Sequence, residues 1–192
     1  MDNVPNKLLS TSSSAMHGIA LEIFGRGIII TGKSGIGKSE IGLELIERGH
    51  KLICDDLVHT IKQEQQIKLQ SPQEFATGFI EIRGLGFINI ARLYGMQQIC
   101  HEQQLFIIIQ LVDNEFLDLI NQDRLRQLID TTDILGITIP IYQLPIGANR
   151  NLPILIELIV KYAIDCETGY NSHWNFIDSQ TKFVQQEGDL CK

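Results

Sequence analysis

The sequence predicts an α/β domain built on a mixed sheet. Three observations predict it. The apolar, β-branched run Gly27-Ile28-Ile29-Ile30-Thr31 leads through a glycine-rich loop into the helix-forming stretch 40–48. Further apolar runs of strand length recur at 51–54, 105–112 and 137–141. Helical periodicities lie among these strands without the strict alternation of a doubly wound parallel sheet.

Taken in order, residues 1–14 are polar and end in Thr11-Ser12-Ser13-Ser14, the composition of a flexible leader ahead of a single domain over 15–192. Ordered structure is expected from Met16 to Phe24, where Ile19, Leu21 and Ile23 alternate as in a strand. Gly25-Arg26-Gly27 reads as a tight turn into the next strand. The helix after the loop carries Ile41, Leu45 and Ile46 on one side and meets a stop signal at Gly49. Lys51-Leu52-Ile53-Cys54 is a short strand ending at Asp55-Asp56. Residues 60–80 predict a strand or two and a short helix after Pro72, and residues 81–95 combine glycine turns with an apolar run.

Leu105 to Val112 is the strongest strand. Asn114 is a candidate cap for a helix to about Ile129, and Ile137 to Ile141 is another strand. Asn151 caps a helix from Leu152 to about Ile164, with Pro153 in its first turn, where a missing N–H costs little. The last 25 or so residues carry only weak, polar patterns.

Composition narrows the function classes. The chain has 192 residues, 44% hydrophobic and 20% charged, as in a soluble globular protein. A net charge of −7 argues against a nucleic-acid or membrane-surface partner. Cys54, Cys100, Cys166 and Cys191 form no C-x-x-C or zinc spacing, which suits reduced thiols in a cytoplasmic protein. The first 14 residues contain no signal-peptide core, and the run Leu105–Val112 is too short to span a bilayer.

The chemistry centres on Gly32-Lys33-Ser34-Gly35-Ile36-Gly37-Lys38-Ser39, a complete G-x-x-x-x-G-K-[ST] pattern between a strand and a helix. Its glycines let backbone N–H groups turn inward around a phosphate, and the helix N-terminus adds positive potential there. Lys38 then reaches the outer phosphates, and Ser39 offers its hydroxyl to Mg²⁺. The nucleotide implied is ATP.

Asp55 and Asp56 sit where a neighbouring strand ends, the place where α/β sheets collect ligands. Adjacent strand side chains point to opposite faces, so one is expected to face the γ-phosphate and the other to order Mg²⁺ water or the loop. The plain alternative makes Asp55 a turn residue. Glu81 with Arg83 suits Mg²⁺ and phosphate binding, or is simply a surface ion pair. His17 is either structural or an orienting partner for an aspartate. His50, His59, His101 and His173 form no ligand cluster, so no metal beyond nucleotide-bound Mg²⁺ is assigned.

These strings resemble the catalytic domain of the HPr kinase/phosphorylase family. The resemblance rests on Met16-His17-Gly18, on 32–40, on Glu44-Leu45-Ile46-Glu47-Arg48-Gly49-His50, on Asp55-Asp56 and on Glu81-Ile82-Arg83-Gly84-Leu85-Gly86, in that order. It implies a phosphate-loop fold similar to phosphoenolpyruvate carboxykinase, a hexameric assembly, and a serine of the phosphocarrier HPr as acceptor. It implies an active-site role for His17, the phosphate-loop lysine at Lys38, and Mg²⁺ ligation by Ser39 and Glu81. Asp56 becomes the proton acceptor of the kinase reaction and the donor of its reverse, and Arg124 an active-site arginine.

Three positions depart from the family pattern. Asn89 stands where an aspartate is common, and only 16 residues precede His17, as in a form without the N-terminal domain of long family members. In Pro145-Ile146-Gly147-Ala148-Asn149-Arg150-Asn151, Asn149 replaces a glycine and Gly147 a common lysine. That loop is tied in the family to dephosphorylation of phospho-HPr, so the reverse activity is in question. A kinase of another protein or of a small molecule, and a nucleotide-binding sensor without turnover, stand as the rival readings.

Overall fold

The computed structural model describes residues 12–113, 129–147 and 150–190. Its chain order begins with β1 (Ser13–His17), β2 (Ile19–Ile23), β3 (Arg26–Thr31), α1 (Lys38–Glu47), β4 (Lys51–Cys54), β5 (Leu57–Gln63) and β6 (Gln66–Gln70). It continues with β7 (Phe79–Ile82), β8 (Gly86–Asn89), α2 (Ile90–Tyr94), β9 (Glu102–Val112), β10 (Ile129–Ile134) and β11 (Ile137–Pro145). Two helices, α3 (Leu152–Glu167) and α4 (Ser172–Leu190), close the described chain. No described helix is long and apolar enough to cross a membrane.

The mixed sheet is as expected. Its strands run β1-β5-β6-β9-β3-β2-β4, and β11 with β10 branches from β9. The branch works because β9 is eleven residues long. Its start, 102–104, pairs antiparallel with β6, and its end, 108–112, pairs parallel with β11. β3 runs parallel along β9 as well. The carboxyl ends of β3, β9 and β11 therefore lie at one end of the sheet, where the glycine loop begins.

β3 is apolar throughout because both of its faces are covered. Ile28, Ile29 and Ile30 are fully buried, each worth roughly 1.5–3 kcal/mol relative to exposure. Ile28 and Ile30 join a cluster with Leu45 and Ile46 of α1 and Ile156 and Val160 of α3. Ile29 joins a second cluster made of strand residues, among them Val58, Leu69, Ile108 and Ile139. The sheet must curve to enclose that second core. On the helical face α1 lies close against β2: a Cβ at Gly42 would overlap Ile19 Cδ1.

Several boundaries differ from expectation. Two strands, not one, precede Phe24, split at Gly18, and the first begins at Ser13. The turn before β3 is Phe24-Gly25, both with positive φ, the backbone twist that joins antiparallel strands. Ile129 opens β10 rather than ending a helix, and the remainder of the segment expected as a helix from Asn114 lies outside the described residues. Beyond the connection at 168–171, the weakly patterned tail forms the 19-residue α4.

Candidate active site

β3 ends at Thr31 and delivers the glycine loop to the sheet end; α1 starts at Lys38. Gly35 and Gly37 take φ of 77° and 95°, a left-handed backbone that side chains resist. Gly37 is the residue from which α1 starts, so its free N–H groups open toward the cleft. Ile36 turns its side chain into the helical-face core and pins the loop. Lys38 Nζ folds back onto the carbonyls of Gly32 and Lys33, 3.1 Å from each. Lys33 itself pairs with Asp113.

A cleft of about 450 Å³ opens in front of the loop. Ser34, Gly35, Gly37, Lys38 and Ser39 form one wall; Asp55, Asp56, Glu81 and Arg83 form the other. Gly32 and Lys33 line a neighbouring cavity instead, together with His17.

Asp55 knits the two walls. Its carboxylate accepts from Ser39 Oγ at 3.0 and 3.1 Å and from the Glu81 amide at 3.0 Å. Burial raises its pKa, and those two donors oppose the rise. Asp55 is thus a scaffold between helix and hairpin rather than a simple turn residue. The divergence of the two aspartates does not come from strand pleating. β4 stops at Cys54, and Asp56 sits in a left-handed bend with φ 68°. That bend turns Asp56 outward while both carboxyls line the same cleft.

His17 reaches Asp56 through register. β1 pairs antiparallel with β5, setting His17 opposite Leu57, and the Gly18 amide donates to the Asp56 carbonyl at 3.1 Å. The His17 Nδ1 to Asp56 Oδ1 separation is 3.7 Å, with both side chains over four-fifths exposed. The pair is an open, water-facing contact, adjustable when a substrate arrives.

Glu81 stands on the β7–β8 hairpin with its side chain exposed and its amide held by Asp55. From the sequence Arg83 is either a phosphate-binding guanidinium or a surface partner of Glu81. The structure lays its guanidinium over the loop: a Cβ at Gly35 would sit 3.1 Å from Nη2. The signal that finds it is the turn Arg83-Gly84-Leu85-Gly86, which folds the hairpin tip toward Gly35. Asn89 accepts from the Arg92 amide at 2.9 Å as the cap of α2, work that aspartate does equally well. Arg124 lies outside the described residues. In the 145–151 segment, Arg150 Nη1 donates to the Pro145 carbonyl at 2.7 Å, and Asn151 caps α3 through the Ile154 amide.

The donor set fits a small hard cation shared with a ligand. Ser39 and Glu81 offer hydroxyl and carboxylate oxygen on facing walls. Among the described residues no group of three or more His, Cys, Asp or Glu side chains closes round a metal. Phosphate oxygens and water would have to complete the shell.

Comparison with known proteins gives the chain a family. Residues 8–180 match the family described as HPr Serine kinase C-terminal domain. A protein named HPr kinase/phosphorylase from Chloroherpeton thalassium is 37% identical over 160 residues, covering 83% of this chain and 46% of its own length. Its namesake from Treponema pallidum is 38% identical over 173 residues, covering 90% and 54%. The chain spans about half the length of these curated relatives. A solved structure described as the Hpr(Ser) kinase/phosphatase from Coxiella burnetii superposes with a TM-score of 0.70 at 38% identity, covering 77% of this chain and 94% of that one. With nearly all of its described fold and its candidate site inside the matched span, the chain belongs to the HPr Serine kinase C-terminal domain family.

Proposed function

We propose that this chain is a Mg²⁺-ATP-dependent protein serine kinase whose acceptor is HPr, on a phosphate-loop fold. The observation that carries the reading is the facing of Lys38 and the loop glycines against Asp56 and Glu81 across one cleft. Phosphoryl transfer needs little more than positioning and charge neutralisation, and this cleft supplies both.

The loop amides and Lys38 hold the outer phosphates. To do so Lys38 releases the carbonyls of Gly32 and Lys33, a rotation of a flexible side chain. Ser39 and Glu81 would hold Mg²⁺, which neutralises charge on the transferring group when bound. Asp55 fixes the spacing of those two residues, because one carboxylate grips the Ser39 hydroxyl and the Glu81 backbone together.

Asp56 accepts the proton of the serine hydroxyl as its oxygen bonds to the γ-phosphorus. The bond to the β–γ bridging oxygen breaks, and ADP leaves with that electron pair. His17, 3.7 Å away, orients the Asp56 carboxyl and shares the proton afterwards. Arg83, lying over Gly35, adds positive charge on the phosphate side.

Relatives carry phosphorylase in their names as well as kinase. We assign the forward reaction here, because the 145–151 segment departs from the family at Gly147 and Asn149. A homo-oligomer, hexameric by resemblance, accords with the exposed Leu158 on α3 and Trp174 and Phe176 on α4. A cytoplasmic setting accords with free Cys54, Cys100 and Cys166.

The test is incubation of the chain with ATP, Mg²⁺ and HPr from the same organism, read by phosphopeptide mapping. A phosphoserine on HPr is expected from the unaltered chain and not from Asp56→Asn. Unmodified HPr beside ATP turnover would move the assignment to another acceptor. Nucleotide binding with no phosphoryl release would leave a sensor.

A further inference from the structure

The β7–β8 hairpin is apolar on its inner face and carries aromatic rings on its outer face as well. Ile80 and Ile82 point inward and are buried. Strand register sets Glu81 opposite Phe87, and Phe79 lies two residues from Glu81. Residues opposite each other, and residues two apart, share a face. The outward face therefore carries a carboxylate between two phenylalanines.

Phe87 is 74% exposed, and Phe75 from the neighbouring turn is 78% exposed. Together with Phe79 and Ala76 they wall a cavity of about 410 Å³ whose remaining lining is Asp55, Asp56 and Glu81. Large exposed aromatics gathered at one spot mark a surface that meets another molecule.

Position identifies what that molecule is. The same three acids line the phosphate cleft, so the two cavities adjoin at Asp55, Asp56 and Glu81. The glycine loop lines the cleft and not the phenylalanine pocket. A hydroxyl that is to meet Asp56 in line with a phosphate on the loop must enter from the phenylalanine side. A small polar acceptor gains nothing from three aromatic rings. A protein does, because residues neighbouring the acceptor serine lie about 3.8 Å away per step along the chain.

We propose that the Phe75–Phe79–Phe87 pocket seats an apolar side chain of the protein substrate, next in chain to the serine that Asp56 deprotonates. This deepens the kinase assignment and rests on it. The pocket sets acceptor specificity by apolar burial, while the acidic rim leaves the hydroxyl pointed at Asp56. Glu81 ties the two functions, since the same short hairpin presents it and Phe87 side by side.

The experiment is steady-state kinetics with purified HPr on Phe75→Ala, Phe87→Ala and their double variant. Both rings are exposed, so the fold does not depend on them; thermal melting checks this. Loss of an interface anchor raises KM for HPr by about tenfold or more in the double variant, with kcat changed by less than about twofold. The dissociation constant for Mg²⁺-ATP stays unchanged, and Phe87→Leu restores most of the lost affinity. Three results would overturn the inference. HPr KM is unchanged in an active double variant; or nucleotide affinity falls instead, making the pocket a base site; or the oligomer dissociates with HPr KM intact, making it a subunit contact. If the unaltered chain fails to phosphorylate HPr at all, the kinase assignment falls first, and that is seen before any variant is compared.

Discussion

The two ends of α1 are built on opposite principles. At the N-terminal end the helix meets glycines with left-handed backbone, a lysine folded onto its own loop, and an Asp56–His17 pair standing in water. At the C-terminal end Arg48 forms a two-point contact with Glu157 of α3, at 2.8 and 2.6 Å. Buried His50 holds the same carboxylate at 3.0 Å and meets the Phe24 ring edge-on. One end is left adjustable and the other is clamped. A helix that must present fixed amides to a mobile ligand is best anchored where the ligand is not.

The largest expected effect breaks the open end alone. Asp56→Asn removes the proposed proton acceptor and should cut phosphoryl transfer by about 10²–10⁴-fold. Its exposed side chain carries no packing, so the melting temperature should stay within about 1 °C of the unaltered chain. A comparable fall in melting temperature would make Asp56 a structural residue and dissolve the contrast.

Next in size, Glu157→Gln breaks the clamped end alone. It removes the charge that Arg48 and His50 share and leaves a buried ring poorly partnered, a loss of about 1–3 kcal/mol. At roughly 2–4 °C per kcal/mol for a chain of this length, calorimetry should show a fall of several degrees. Nucleotide affinity, read at low temperature where the fold holds, should change little. A large loss of affinity would show that clamp and loop are coupled through the helix.

Arg83→Ala is smaller again. Its guanidinium lies against Gly35 without shaping the core. Nucleotide affinity should weaken by about five- to tenfold, as for one charge-assisted contact. Titration of the nucleotide followed by fluorescence or calorimetry reads this directly; unchanged affinity would return Arg83 to the surface.

The two ends were not equally legible in the sequence. Strand, glycine loop and helix announce themselves by local signals, so β3, α1 and the roles offered to Lys38 and Ser39 could be read from 22 residues of chain. The clamp could not, because Glu157 lies 107 residues beyond His50 and only the packing of α1 on α3 brings them together. Asp55 was legible as a carboxylate near phosphates, but its grip on Ser39 and on the Glu81 amide needs the hairpin in place. β10 was missed because Ile129–Ile134 is mostly exposed and polar, with little apolar alternation to betray a strand. α4 was missed because its segment is polar on average: Trp174, Phe176 and Ile177 are few among Asn, Asp, Ser and Gln.

The smallest effect sharpens the comparison through acid. The Arg48 hydrogen bonds, helped by His50, hold the Glu157 carboxyl down at about 2, against an ordinary value of 4.5. In the unfolded chain Glu157 takes up a proton near that ordinary value, while the folded chain keeps it ionised. The unfolded state therefore binds more protons as pH falls from about 4.5 toward 2, and stability declines over that window. Above pH 4.5 the contribution is fully present. The slope due to this one group cannot exceed about 1.4 kcal/mol per pH unit. Glu157→Gln has no proton to gain, so its denaturation midpoint should fall less steeply with acid, and the two curves should converge as pH approaches 2. Parallel curves would mean that Glu157 titrates alike in both states and that Arg48 and His50 do not hold its charge.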